Sequence, residues 1–168
     1  AADLLALDGR TSVKIDAKAI ISDGIEGSAA ELKQLVASKG IELAKDVNLT
    51  VESTEIVKAA DLAAILKATT GKVTAIVAAD TAAKLNAALK DANSSDALKL
   101  TVDGATATAK DLISLDGKTS EDIKFSLDLG AITGNITEIT KVFVTNASGF
   151  DDVTGVAATI SGEITAAQ

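Results

Sequence analysis

Asp3-Leu4-Leu5-Ala6-Leu7-Asp8-Gly9-Arg10-Thr11-Ser12 returns as Asp111-Leu112-Ile113-Ser114-Leu115-Asp116-Gly117-Lys118-Thr119-Ser120. From Asp3 to Asp111 is an offset of 108 residues, and it persists downstream: Ile15 aligns with Ile123, and Glu55-Ile56 with Glu163-Ile164. Self-similarity at a fixed period is the signature of repeat architectures. The chain therefore reads as one repeat-array segment spanning residues 1–168, with its second copy starting at residue 109.

A shorter rhythm runs inside the long one. Helix signals begin at Ala2-Asp3-Leu4, Ser28-Ala29-Ala30-Glu31-Leu32, Lys58-Ala59-Ala60-Asp61-Leu62, Thr81-Ala82-Ala83-Lys84-Leu85 and Thr108-Ala109-Lys110-Asp111-Leu112, with a degenerate sixth near Asn135-Ile136-Thr137-Glu138. Apolar residues recur at helical spacing, as in Leu32, Leu35 and Val36 or Leu62, Ile65 and Leu66. Ser28 and Thr108 have N-cap chemistry, and Ser28 with Glu31 has capping-box spacing. Gly9, Gly40, Gly71 and Gly117 are expected to stop helices in the left-handed conformation.

Strict alternation follows the stops. Val13 and Ile15 form one set; Val47, Leu49 and Val51, Val73, Ala75 and Val77, Leu98, Leu100 and Val102, Ile123, Phe125 and Leu127, and Val156, Ala158 and Ile160 form the others. Strands separated by helices pair in parallel, because the helix carries the chain back to its starting edge. A doubly wound sheet, buried on both faces, would show unbroken apolar runs; alternation leaves one sheet face in water. Lys14, Asp16, Asn48, Thr50, Thr74, Lys99, Thr101, Lys124, Ser126 and Thr159 fall on that open face. The fold class is thus α/β: a repeat solenoid of helix–strand coils, with a parallel sheet and helices on one face. The coils start near residues 1, 28, 58, 81, 108 and 135, a spacing like the ~20–29 residues of leucine-rich repeats, whose consensus is absent.

Each coil buries few aliphatic side chains, a gain that barely offsets the entropy of ordering it. Stability must come from stacking on neighbouring repeats of the same array, which are the partners this reading implies. Apolar surface near Leu4 and Leu7 at one end and Val156 and Ile160 at the other is expected to drive end-to-end self-association or fraying. The absence of an initiator Met suggests a fragment or a processed chain.

Composition narrows the function. There is no Cys, His, Met, Trp, Tyr or Pro, and the net charge is −8. Without Cys there are no disulfides, thiolate nucleophiles or Cys-based metal sites. The acidic balance argues against nucleic acid and against anionic membrane surfaces. No apolar run reaches the ~20 residues of a membrane helix, and no secretion-signal pattern opens the chain. Without His, a Ser or Thr nucleophile would need Lys or a carboxylate as base, and no nucleophile elbow or S-x-x-K pattern occurs. The adjacent pairs Glu121-Asp122 and Asp151-Asp152 read as solvated turns rather than glycosidase carboxylates. Asp8-Gly9 and Asp116-Gly117 read as helix-to-strand corners. No catalytic, cofactor-binding or metal-binding residue is assigned, and no phosphate loop is found.

Calcium is kept open as a ligand of turn residues Asp23, Asp46, Asp103, Asp151 and Asp152, although neither calcium-loop pattern is present. Acceptor sequons occur at Asn48-Leu49-Thr50, Asn93-Ser94-Ser95, Asn135-Ile136-Thr137 and Asn146-Ala147-Ser148.

The element Ala1-Ala2-Asp3-Leu4-Leu5-Ala6-Leu7-Asp8-Gly9-Arg10-Thr11, with Ala29-Ala30-Glu31-Leu32 and Ala59-Ala60-Asp61-Leu62 after it, resembles repeats of giant secreted surface proteins of cyanobacteria and other bacteria. The resemblance implies an extracellular, cell-surface, non-catalytic segment: a stalk, an S-layer-like assembly or an adhesin extension, often beside calcium-binding RTX repeats. The RTX motif itself is missing here. Two other functions remain in view. One is a glycan- or ligand-binding module using the open sheet face through Lys99 and Lys124, and the other is a solenoid polysaccharide-degrading enzyme.

Overall fold

The computed structural model describes residues 1–20, 24–145, 147–151 and 153–162. Six α-helices are present among them: Ala2–Asp8 (α1), Ala29–Ala37 (α2), Ala59–Ala68 (α3), Ala82–Ala88 (α4), Ala109–Asp116 (α5) and Ile136–Thr140 (α6). All begin where the apolar spacing places them. Ser28 caps α2 in a capping box with Glu31, Thr108 caps α5 through the Asp111 N–H, and Thr81 caps α4. Asn135 and Glu138 form a second capping box at α6. Each helix packs on the next in sequence; α2, α3, α4 and α5 each bury one stripe, such as Leu62, Ile65 and Leu66 on α3, whereas α1 buries no residue fully and α6 only Ile139.

The strands are short: Ile15–Asp16 (β1), Ile25–Gly27 (β2), Ile41–Glu42 (β3), Leu49–Val51 (β4), Ile56–Val57 (β5), Val73–Val77 (β6), Ala97–Lys99 (β7), Thr101–Val102 (β8), Thr106–Thr108 (β9), Lys124–Phe125 (β10), Ala131–Gly134 (β11) and Ala157–Ile160 (β12). Every strand pairing among the described residues is parallel. The largest sheet has the order β2-β4-β6-β5, with β7 also on β6; β9, β11 and β12 form a second, and β1-β3 and β8-β10 form pairs. Register steps from Ile25 to Leu49 to Val73, so each strand meets its counterpart one helix further along the chain. The architecture is mixed α/β.

The alternation holds where side chains meet the core. Val47, Leu49 and Val51, Val73, Ala75 and Val77, and Leu98, Leu100 and Val102 are all buried. Their alternates Asn48, Thr50, Thr74, Lys99 and Thr101 are half-buried or exposed. It fails at the ends of its runs: Val13 is 73% exposed, and Leu127 lies fully in solvent just past β10. β12 forms as expected, but none of its residues is buried.

Two expectations are corrected. The chain carries more than one strand per helix, because β2, β5, β9 and β11 lie immediately ahead of α2, α3, α5 and α6. These strands are built from segments such as Thr106-Ala107-Thr108 and Ala131-Ile132-Thr133-Gly134, whose small side chains carry little two-residue signal. The glycines at helix ends are not left-handed either. Gly9 and Gly117 have φ of −68° and −71°, and positive φ among glycines occurs at Gly24, Gly104, Gly155 and Gly162. At Gly40 the need for glycine is space: a Cβ there would collide with the Asp8 carboxylate.

Candidate functional site

The most organised polar chemistry lies between consecutive helix-led units. After α3, Thr69 Oγ1 accepts from the Gly71 N–H at 2.8 Å and donates to the carbonyl oxygen of Val47 at 2.6 Å. The next amide, Thr70 N–H, donates to Lys45 O at 2.7 Å. After α5 the same arrangement recurs. Thr119 Oγ1 accepts from Glu121 N–H at 3.1 Å, donates to Leu98 O at 2.8 Å and accepts from Leu98 N–H at 3.0 Å. Ser120 N–H donates to Asp96 O at 2.7 Å. A hydroxyl closing a local turn has its remaining hydrogen-bonding capacity free for the preceding unit, which is why Thr serves here.

A second contact joins each copy's first helix to the next unit. Ser38 Oγ donates to Asp8 Oδ2 at 2.8 Å, and Gly40 N–H donates to Ser38 Oγ at 3.0 Å. In the second copy the Asp116 carboxylate occupies the corresponding place against Gly149, where a Cβ would collide with it. The backbone bond Ile15 N–H to Gly40 O (2.7 Å) is matched by Ile123 N–H to Gly149 O (3.0 Å). Likewise Gly27 sits between Ala1 and Glu31, as Gly134 sits between Ala109 and Glu138. Asp8 and Asp116, read from sequence as plain corner residues, thus hold the adjoining unit.

Charge is handled locally. The Ser28 N–H, then the Ser28 hydroxyl, hold the Glu31 carboxyl below its ordinary value. The Lys18 ammonium, 2.9 Å away, lowers Glu42, while Glu42 raises Lys18. The Thr81 N–H and then Lys84 lower Asp80. Asp96 is buried, and its carboxylate accepts from Val73 N–H at 2.7 Å and Asn93 N–H at 2.9 Å.

Among the described residues, the turn aspartates considered for calcium, Asp46, Asp103 and Asp151, form no cluster of three or more ligands. Asp103 accepts from Gly104 N–H and Ser126 Oγ, Asp151 stands 3.7 Å from Lys124, and Asp46 is exposed. Asp23 and Asp152 lie outside the described residues, as do Asn146 and Glu163-Ile164. Among the described residues no group of three or more His, Cys, Asp or Glu could hold a metal ion, and no helix is long and apolar enough to cross a membrane. Asn48 and Asn135 are engaged, the first accepting from Lys72 N–H and the second capping α6. Asn93 is exposed, its side chain accepting from Ser95 N–H and Oγ. Lys99 and Lys124 are both exposed; Lys124 borders an open cleft with Phe125, Leu129 and Asp151.

Comparison with family models, with curated proteins and with solved structures finds no match for this chain.

The inter-unit threonines escaped the sequence reading. Their signal is present in retrospect as a two-hydroxyl step just after a helix, at Thr11-Ser12, Thr69-Thr70 and Thr119-Ser120.

Proposed function

We propose that the chain is a segment of a one-sided α/β solenoid, and that its function is mechanical. It would be a non-catalytic structural repeat of a large extracellular bacterial surface protein, serving as stalk, S-layer-like assembly or adhesin extension. One observation carries this reading: the Asp8–Gly40 contact and its backbone bond are rebuilt at Asp116 and Gly149. Two near-copies of one sequence that meet the segment following them in the same way are what translational stacking produces, and a closed globule would give them different surroundings there. Parallel pairing of every strand among the described residues, with each helix on the next, supports it further. The extracellular setting rests on the resemblance to bacterial surface repeats and on the lack of Cys.

Two measurements test the two halves. In small-angle X-ray scattering of one, two and three concatenated 108-residue units, the cross-sectional radius stays constant while the longest dimension grows in proportion to unit number. Growth of both dimensions together would overturn the solenoid. Antibodies raised against the chain should label intact cells of the source bacterium; labelling only after permeabilisation would overturn the surface assignment.

A further inference from the structure

Leu4, Leu7 and Thr11 have closely similar sequence surroundings to Leu112, Leu115 and Thr119, yet the latter three are buried whereas Leu4 and Thr11 are half-buried and Leu7 is 49% exposed. One segment of the chain covers the second copy. It is the unit from Thr81 to Thr108, whose helix α4 packs on α5. Asn86 Nδ2 of that unit donates to Asp111 O at 2.8 Å, and its Leu89 O accepts from Lys118 Nζ at 2.9 Å. Its Leu98 and Asp96 backbone groups take Thr119 and Ser120. Every group on the receiving side has a counterpart in the first copy: the Asp3 carbonyl, Arg10 for Lys118, Thr11 and Ser12. Thr11 even keeps the local turn, accepting from Val13 N–H at 3.0 Å, as Thr119 does from Glu121.

Resting on the solenoid reading, we infer that the α1 face with the Thr11-Ser12 turn is a docking surface for one kind of partner, a repeat unit of the Thr81–Thr108 pattern. The array then has a four-unit phase, and units of other phases do not fit this face. The reason is complementarity. The surface needs a helix offering an amide side chain to the Asp3 carbonyl, followed by a strand whose first carbonyls meet Thr11 and Ser12. The unit Lys58–Asp80 offers Ala63 where Asn86 stands, counting from the helix starts Ala59 and Ala82.

The test fuses a second copy of residues 81–108 directly ahead of Ala1 in the whole chain, and in a parallel protein fuses residues 58–80 there. Hydrogen exchange is read over Leu4–Ser12 and over Leu112–Ser120, the second peptide reporting that the chain is folded. The matched fusion should slow exchange of Leu4–Ser12 roughly tenfold or more, towards that of its counterpart, and the other fusion should not. Within the matched fusion Thr11→Val should reverse part of the slowing and Thr11→Ser should retain it. Equal slowing by both fusions, or by raising the concentration of the unfused chain so that a second copy docks there, would overturn phase specificity while leaving stacking intact. No slowing in the matched fusion would overturn the docking inference. If Leu112–Ser120 then also exchanges as fast as Leu4–Ser12 in the unfused chain, stacking falls with it.

Discussion

The Ser38 hydroxyl donates to the Asp8 carboxylate at 2.8 Å across 30 residues of chain, and Gly40 beside it leaves the space that the carboxylate fills. Asp8 therefore ties the end of α1 to the turn that follows α2, and the Asp116 carboxylate takes the corresponding place against Gly149.

Filling that space has a defined cost. Gly40→Ala should destabilise by about 1 kcal/mol, because the Asp8 carboxylate must swing aside and give up its hydrogen bond from Ser38. Asp8→Ala removes the obstacle and the acceptor together, so the double variant should lose less than the two single losses combined. Urea unfolding of the four proteins checks this, and strict additivity would separate Gly40 from Asp8.

Burial rather than sequence sets the value of a leucine here. Leu115→Ala, at a site with 0% exposure, should cost about 2–5 kcal/mol. Leu7→Ala, at the matching position, should cost about 1 kcal/mol or less. Equal losses in thermal or urea unfolding would mean that the α1 face is covered in solution.

Asp96 is a buried carboxylate that satisfies the amides of Val73 and Asn93. Asp96→Ala strands both amides, each worth about 1–3 kcal/mol when left unpaired. Asp96→Asn keeps one acceptor oxygen and should lose less. A drop in unfolding midpoint ordered wild type, Asn, Ala is expected; Asn falling below Ala would count against this account.

Acid should weaken the fold through identified groups. Glu31, Glu42 and Asp80 titrate below their ordinary values in the folded protein. Their contribution is therefore complete above the ordinary carboxylate range, and it disappears as pH falls through the lowered values. The urea midpoint should be flat from neutrality to about pH 5 and decline below it. Glu31→Gln, which cannot ionise, should make that decline shallower; an unchanged slope would remove the α2 capping box from the explanation.

Much of this was legible in the residues. The helix starts at Ala2, Ala29, Ala59, Ala82, Ala109 and Ile136 could be read because caps and apolar spacing act within a turn or two of chain. The strands at Leu49–Val51 and Val73–Val77 could be read because one face must be apolar. The strands Thr106–Thr108 and Ala131–Gly134 ahead of α5 and α6 could not, since their small side chains carry little alternation and they owe their form to pairing with residues more than twenty positions away.

The sequence alone determined the repeat, the helices and the principal strands, because those depend on interactions between near neighbours. Tertiary structure decided what fills the space beside Gly40, which carbonyls receive Thr69 and Thr119, and why Leu115 is buried while Leu7 is not. Those outcomes depend on what is packed against a residue, and two closely similar stretches of chain differ in that respect as soon as their neighbours differ.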